Sequence, residues 1–511
     1  MQTQDKEHPG GPDQGALPGK PDRIELAKKK EKVNVRRLIL MFTGLGLFFL
    51  VFFSPAWPDA VDPNGENFAL TREGKAALGL FLLAATWWVF EVVPIGITSI
   101  LIGVVQVLFL IREPRIAFTD FMDPSVWFIF GSITIGMVFS KTGLTNRLAY
   151  NMLGLVGERT SMIYLGSFVM TSAMTLIMAH TAVAAAVFPL LMTIYALYDE
   201  TGKPSKFGKG LFIGMAFTAG AGSIITLLGA ARGAVAIGFF KELVGREIGF
   251  FELTWYMFPV GVLMTFLLWA YILVVYPPER KVIPGLKQRA KNLGKKLGPM
   301  SRNEILALAI TFSAIAVMSL RSVVPGLEAL HKSGVILVAT VLFFTTGILK
   351  LQDLESIPWN IILLFGGAMS IGFCLWQTGA AEWLAINWLM YLKEFHWLVF
   401  ILGLAFFVLL MTNFIMNVAA IAISLPVALV MAPYMNVAPE VILFSALVVA
   451  GMPFLLLVGA APNAIAYESK LFSTGEFFTV GIPASLLLMA VLALFVAIIW
   501  PVMGMPIRLT P

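Results

Sequence analysis

Arg232 lies inside the apolar stretch 210–240, with no acidic residue close to it in sequence. A charge at membrane depth costs about 2.5–3.5 kcal/mol on insertion scales, so such a residue faces a cavity or a partner. The guanidinium keeps its proton, and its fork suits an oxyanion in two-point contact. The plainer alternative is that it snorkels or pairs with a distant carboxylate. His180 stands five residues after Thr175 in a second apolar stretch, 161–197. An imidazole there can touch a ligand, carry a proton or act as a cation, or it can simply hydrogen-bond to backbone. Glu91, just before Val92, Val93 and Pro94, reads as an interfacial carboxylate. The chemistry on offer is therefore ion binding. No glycine loop opens after a strand, and neither a metal-ligand cluster nor a Ser/His/Asp arrangement is present, which argues against an enzyme and against a primary pump.

The composition says what must position these groups. Of 511 residues, 58% are hydrophobic and 13% charged, against about 45–50% and 25% in soluble domains. Lipid must serve as solvent for much of such a chain. The net charge of +6 is gathered in short basic segments beside apolar runs, the pattern that orients membrane proteins rather than one that binds nucleic acid. Cys374 is the single cysteine, so an intrachain disulfide is excluded. Residues 1–36 read as a disordered cytoplasmic tail, and the first apolar run begins near Leu38, too late for a cleavable leader.

Spans are expected near 37–57, 75–92, 95–111, 126–140, 251–276, 302–320, 333–350, 358–376 and 476–500. Two more, 210–240 and 438–467, are interrupted by glycine and proline. Stretches 161–197 and 396–433 are too long for one span and carry a polar break, so they read as re-entrant hairpins. The expected fold is an all-α polytopic membrane protein with about 11 transmembrane helices and two re-entrant helical hairpins. Basic residues before the first span (Lys28, Lys29, Lys30, Lys32, Arg36, Arg37) and in the linker 277–301 fall on one side, which the positive-inside rule makes cytoplasmic. Lys203, Lys206 and Lys209 join them if 161–197 is a hairpin, and the C-terminus then lies outside. Segments 144–158, with Leu144, Leu148, Met152 and Leu155, and 380–394, with Trp383, Trp388 and Tyr391, read either as interfacial helices or as connecting loops.

The chain also repeats itself. FGSITIG (130–136) followed by KTG (141–143) returns as FGGAMSIG (365–372) followed by QTG (377–379). HTAVAAAVFP (180–189) returns as NVAAIAISLP (417–426), and GAARGAVAI (229–237) as GAAPNAIAY (459–467). The first copy, within 73–276, carries an odd number of crossings, so the second, within 302–505, enters from the opposite face; residues 37–72 supply the first helix and an external loop. Inverted repeats of this kind put a binding site near the midplane between broken helices. Freed backbone N–H groups at half-helix starts favour anions, and freed carbonyls at half-helix ends favour cations.

These blocks, with LFGG at 364–367 and APNAI at 461–465, resemble the divalent anion:sodium symporter family, the dicarboxylate, citrate and sulfate carriers of the wider ion transporter superfamily. The resemblance covers about 75–505. It implies an elevator mechanism, a homodimer in the plasma (inner) membrane, and a small anionic substrate. It also implies two sodium ions held by Ser-Asn-Thr hairpin tips and Thr-Pro-Pro-Asn-like turns. Here the tips read Ala179-His180-Thr181 and Met416-Asn417-Val418, and the turns Ala230-Ala231-Arg232-Gly233 and Ala460-Ala461-Pro462-Asn463. By position, substrate contacts are expected from His180, Thr181, Arg232, Asn417, Val418, Pro462 and Asn463. Ion contacts are expected from Thr175, Thr412, Met416, Asn417 and Gly459. Thr412, Asn417 and Gly459 resemble the family's second sodium site. In the first half Arg232 or His180 would supply the charge that sodium gives elsewhere. The expected function is secondary transport of a small dianion, a dicarboxylate or sulfate, sodium-coupled or exchanging, with no cofactor beyond sodium. A proton-coupled carrier, and a sensor or scaffold that kept the fold and lost the chemistry, stay open.

Overall fold

The computed structural model of the protein describes residues 35–61, 67–199, 204–321, 324, 326–327, 329–392, 395–414 and 416–509. It divides into two compact units, 1–39 and 40–511. Of the first, only the start of helix α1 (Val35–Phe53) is described. The tail expected over 1–36 lies, through residue 34, outside the described residues, as do Lys203 and the side chains of Trp388 and Tyr391.

The second unit is helical apart from a short antiparallel pairing of Ala60–Val61 with Asn67–Phe68. Its first half runs α2 (Arg72–Val89), α3 (Ile95–Leu108), the short α4 (Pro114–Thr119), α5 (Pro124–Thr142), α6 (Leu144–Val156), α7 (Thr160–Met174), α8 (His180–Tyr198), α9 (Lys206–Ser223), α10 (Ala231–Val244) and α11 (Phe250–Val275). The linker carries α12 (Leu286–Lys296). The second half runs α13 (Arg302–Leu320), α14 (Lys332–Thr345), α15 (Leu351–Glu355), α16 (Trp359–Gln377), α17 (Ala380–Leu392), α18 (Trp397–Phe414), α19 (Asn417–Tyr434), α20 (Pro439–Ala450), α21 (Ala461–Tyr467), α22 (Thr474–Leu494) and α23 (Trp500–Val502). Among the described residues, eight helices are long and apolar enough to cross a membrane, and four shorter apolar helices accompany them.

Two expected spans are shorter than the apolar runs that suggested them. α3 stops at Leu108 because Leu110 takes a left-handed backbone (φ 54), and α14 stops at Thr345 before Gly347 (φ 74). A left-handed residue cannot continue a right-handed helix. Segments 144–158 and 380–394 are largely helical, as α6 and α17. The long stretches 161–197 and 396–433 each divide into two helices, the first pair separated by 175–179 and the second ending at Phe414 and resuming at Asn417.

The halves cross where α3 packs on α16. Glycine permits this approach: a Cβ on Gly367 would stand 2.4 Å from Ser99 Cβ. A buried polar network lies beside the crossing. Arg112 Nη1 donates to Asp120 at 2.6 Å, its Nε and Nη2 donate to Gln377 at 3.0 and 2.7 Å, and Gln106 Nε2 donates to Ser370 Oγ at 2.8 Å. Losing either charge of a buried pair leaves the other uncompensated, so this network fixes the register of the two halves. Sequence reasoning passed over it because Arg112 and Asp120 sit in a short connection between helices.

Candidate functional site

In the first half, the break between α7 and α8 lies against the break between α9 and α10. Between α9 and α10 the chain leaves helical form over 224–230, and Gly222 and Gly229 let the two segments touch. A Cβ on Gly222 would stand 2.3 Å from Thr175 Oγ1, and one on Gly229 would stand 2.6 Å from Ser223 O and 2.8 Å from Thr175 O. Hydrogen bonds close the clasp. Thr226 Oγ1 donates to Leu176 O at 2.8 Å. The backbone N–H of His180 reaches Gly229 O at 2.9 Å, and its Nδ1 lies 3.1 Å from the same oxygen. A carbonyl only accepts, so Nδ1 carries the hydrogen and Nε2 is the free ring nitrogen. Thr175 is fully buried and donates to Ser172 O at 2.6 Å.

The second half builds the corresponding contact. A Cβ on Gly459 would stand 2.7 Å from Pro453 Cβ and 2.8 Å from Thr412 O. Gly229 and Gly459 are 230 residues apart, as are Ser223 and Pro453, while Thr175 and Thr412 are 237 apart. Here an amide does the clasping: Asn413 Oδ1 accepts from the N–H groups of Leu455 (2.8 Å) and Leu456 (3.3 Å), and its Nδ2 donates to Leu409 O at 2.7 Å. Asn463 Nδ2 donates to Pro453 O and Leu456 O at 2.8 and 3.1 Å, which leaves its Oδ1 without a described donor. Thr412 Oγ1 donates to Ala450 O at 3.3 Å. The backbone around Gly459 and the oxygens of Thr412 and Asn463 are the groups a hard cation uses.

Arg232 sits where the two broken helices meet. It is 2% exposed, and Nη2 donates to Ser223 Oγ at 2.7 Å, at the last residue of α9. On its other side a Cβ on Gly451, which closes α20, would stand 2.6 Å from Nη2 and 3.1 Å from Cζ. The guanidinium thus lies beside two helix C-termini, whose freed carbonyls carry partial negative charge; no carboxylate pairs with it among the described residues. Nη1 is buried without a hydrogen-bond partner among the described residues. A cavity of about 10 Å³ lined by Ser223, Thr226, Arg232 and Leu447 lies beside it, room for about one water.

Helices α8, α10, α19 and α21 all begin at these breaks, and the residues at their starts, Ala179, Ala230, Met416 and Ala460, make no capping side-chain hydrogen bond among the described residues. The halves interlock here: α8 packs on α21, and α10 packs on α19. Asn417, Val418, Pro462 and Asn463 are buried, while Met416, His180 and Thr181 are partly open. Asn417 and Thr181 make no side-chain hydrogen bond to a described residue. No described hydrogen bond joins the first set, His180 and Arg232, to the second, Asn417 and Asn463; the halves meet at this level through Arg232 against Gly451. Sequence reading missed Ser223, Thr226 and Asn413. The first two carried no visible signal, being small hydroxyls in an apolar stretch, whereas Asn413 adjoins Thr412 and would have been found by asking what a lone amide in a long apolar run must bond.

Comparison with known proteins agrees with this architecture. The profile of the family described as the sodium:sulfate symporter transmembrane region matches residues 61–506. A sodium-dependent dicarboxylate transporter, SdcS, of Staphylococcus saprophyticus is 24% identical over 504 residues, covering 94% of this chain and 95% of the relative. Its namesake in Staphylococcus aureus is 25% identical over 501 residues, covering 93% and 94%. In fold, the chain is similar to the Alcanivorax borkumensis YdaH transporter (TM-score 0.57, 14% identity, 92% of this chain and 98% of that one). It is also similar to Neisseria gonorrhoeae MtrF (TM-score 0.53, 12% identity, 90% and 93%).

Proposed function

The chain belongs to the sodium:sulfate symporter transmembrane family and is a multi-pass membrane transporter rather than an enzyme; from that premise we propose that it carries a small dianion, a dicarboxylate or sulfate, across the plasma membrane by secondary active transport. The substrate lies between the two breaks, against His180, Thr181 and Arg232 from the first half and Asn417, Val418, Pro462 and Asn463 from the second. One sodium ion is held in the second half by Thr412, Asn417 and Gly459 with the backbone near Met416. In the first half, near Thr175, the Arg232 guanidinium stands in place of a second cation. The observation that carries this reading is the buried Arg232, set beside two helix C-termini and keeping one nitrogen without a hydrogen-bond partner among the described residues. The named relatives are sodium-dependent dicarboxylate transporters, which supports both the substrate class and the coupling ion.

The two halves act as inverted repeats, with α7–α8 and α18–α19 as re-entrant hairpins, the N-terminus cytoplasmic and the C-terminus outside. The hairpins and broken helices move as one body against the rest, in a homodimer. A permanent charge at Arg232 also favours a second reading, exchange, because an empty carrier would have to move a buried cation with no bound anion and no paired carboxylate beside it. Uptake of labelled succinate or sulfate into proteoliposomes separates these. Uptake driven by an inward sodium gradient supports symport, and uptake that needs internal anion but no sodium supports exchange. No flux of either anion counts against dianion transport and favours a sensor that kept the fold.

A further inference from the structure

The linker between the halves carries a surface the transport reading does not use. Helix α12 presents Lys287, Arg289, Lys291, Lys295 and Lys296 to solvent, and no Asp or Glu occurs from Arg280 to Asn303. None of the five pairs with a carboxylate among the described residues. The helix is nonetheless fixed in place. Leu286 and Ala290 are buried, and α12 packs along α6. At its start Glu158 accepts from Gly285 N at 3.0 Å; past its end Arg147 donates to Gly298 O at 3.0 Å and Pro299 O at 3.3 Å. Beside this basic face the same layer exposes apolar side chains, with Leu155 88%, Val282 45% and Met300 39% exposed. The linker leaves one span-length apolar helix, α11, and enters another, α13, so this layer stands at a membrane face.

A rigid helix with basic groups outward and exposed apolar residues in the same layer has the makings of an interfacial element. We propose that α12, seated on α6, binds the headgroups of anionic phospholipids. Its charges are held ready by the docking on α6, so little ordering cost opposes binding. The contact also reaches the first hairpin. Thr160, the first residue of α7, bonds to Lys281 O through its N–H at 3.0 Å and to Arg280 O through its hydroxyl at 2.8 Å. At the far end of the hairpin, Arg280 Nη1 donates to Tyr198 O at 2.9 Å. Lipid held at α12 therefore steadies the base of α7–α8.

The test uses full-length protein, delipidated in neutral detergent and offered equal phosphatidylglycerol and phosphatidylcholine in mixed micelles, with bound lipid counted by mass spectrometry. The wild type is expected to retain phosphatidylglycerol preferentially. The variant K287Q/R289Q/K291Q/K295Q/K296Q should lose that preference by more than about tenfold, since each basic residue near an anionic surface adds to the attraction. The charge-conserving variant K287R/K291R/K295R/K296R should keep it, and unchanged size-exclusion elution guards against misfolding of the glutamine variant. Raising salt from about 0.1 M to 1 M, where the screening length falls from about 10 to 3 Å, should release the lipid. Equal retention of both lipids by the wild type, or undiminished retention by the glutamine variant, would overturn the proposal. So would displacement of the lipid by millimolar glycerol phosphate, because the helix would then read free phosphate rather than a membrane surface.

Discussion

At the scale of single residues, Arg232 and Asn413 carry different loads. Arg232 is held by Ser223 on one side and crowded by Gly451 on the other, so its position is fixed rather than chosen by flexibility. Arg232→Lys keeps the charge but not the fork, and a single ammonium cannot serve Ser223 and still offer a second donor in the same plane. We expect thermal stabilisation of the purified protein by succinate or sulfate to fall sharply in Arg232→Lys and to vanish in Arg232→Ala. Stabilisation equal to wild type in both would remove Arg232 from the substrate site. Asn413 is 1% exposed and bonds three backbone groups. Asn413→Ala leaves two partly buried N–H groups without their acceptor, at no more than about 1–3 kcal/mol each. A lowered unfolding temperature is expected from differential scanning, and an unchanged one would show that water or backbone replaces the amide.

At the scale of elements, the clasps depend on glycine. Gly229→Ala and Gly459→Ala each place a methyl 2.8 Å from a backbone carbonyl oxygen, Thr175 O and Thr412 O respectively, and backbone cannot swing aside as a side-chain tip can. Both variants should keep their helical circular dichroism while losing anion-induced stabilisation. If either binds as well as wild type, the close approach is not what shapes the site. A different element contact answers to pH. Glu279 lies in the linker and caps the start of α9, accepting from Lys206 N at 2.5 Å and Phe207 N at 3.2 Å, while Tyr198 donates to it at 2.8 Å. Burial works to raise its pKa, yet these donors hold it below the ordinary value of 4.5. A depressed carboxyl stabilises the fold above its unfolded pKa and loses that contribution as pH falls toward its folded one. The difference in unfolding temperature between wild type and Glu279→Gln should thus be largest near neutrality and shrink below about pH 4.5. A difference that is flat with pH would contradict the capping role.

The breaks themselves were legible in the sequence, because Gly229 and Gly459 and the prolines Pro189 and Pro426 recur at nearly constant offset. Their partners were less so. Ser223, Thr226 and Gly451 act through contacts whose partners stand 9 to 219 positions away (Ser223 to Arg232, Thr226 to Leu176, Gly451 to Arg232), and a small residue in an apolar run leaves no periodic trace of such a contact. Helix lengths escaped for a local reason: hydropathy runs on past Leu108 and Thr345, while the backbone turns left-handed at Leu110 and Gly347.

For the whole molecule, the proposed function has two halves of one chain meet at a site where one half supplies a guanidinium and the other the oxygens for a cation. It follows that the coupling ion is needed on one side alone. The most direct measurement is sodium-dependent dianion uptake into proteoliposomes, wild type beside Arg232→Ala and Thr412→Ala, with the sodium taken up per anion counted. Flux in the wild type with one sodium site in use is expected. Thr412→Ala should lose the sodium requirement together with most flux, and Arg232→Ala should be inactive or leak without coupling. Unchanged, sodium-coupled flux in Arg232→Ala would contradict a resident charge, since the first half would then need none.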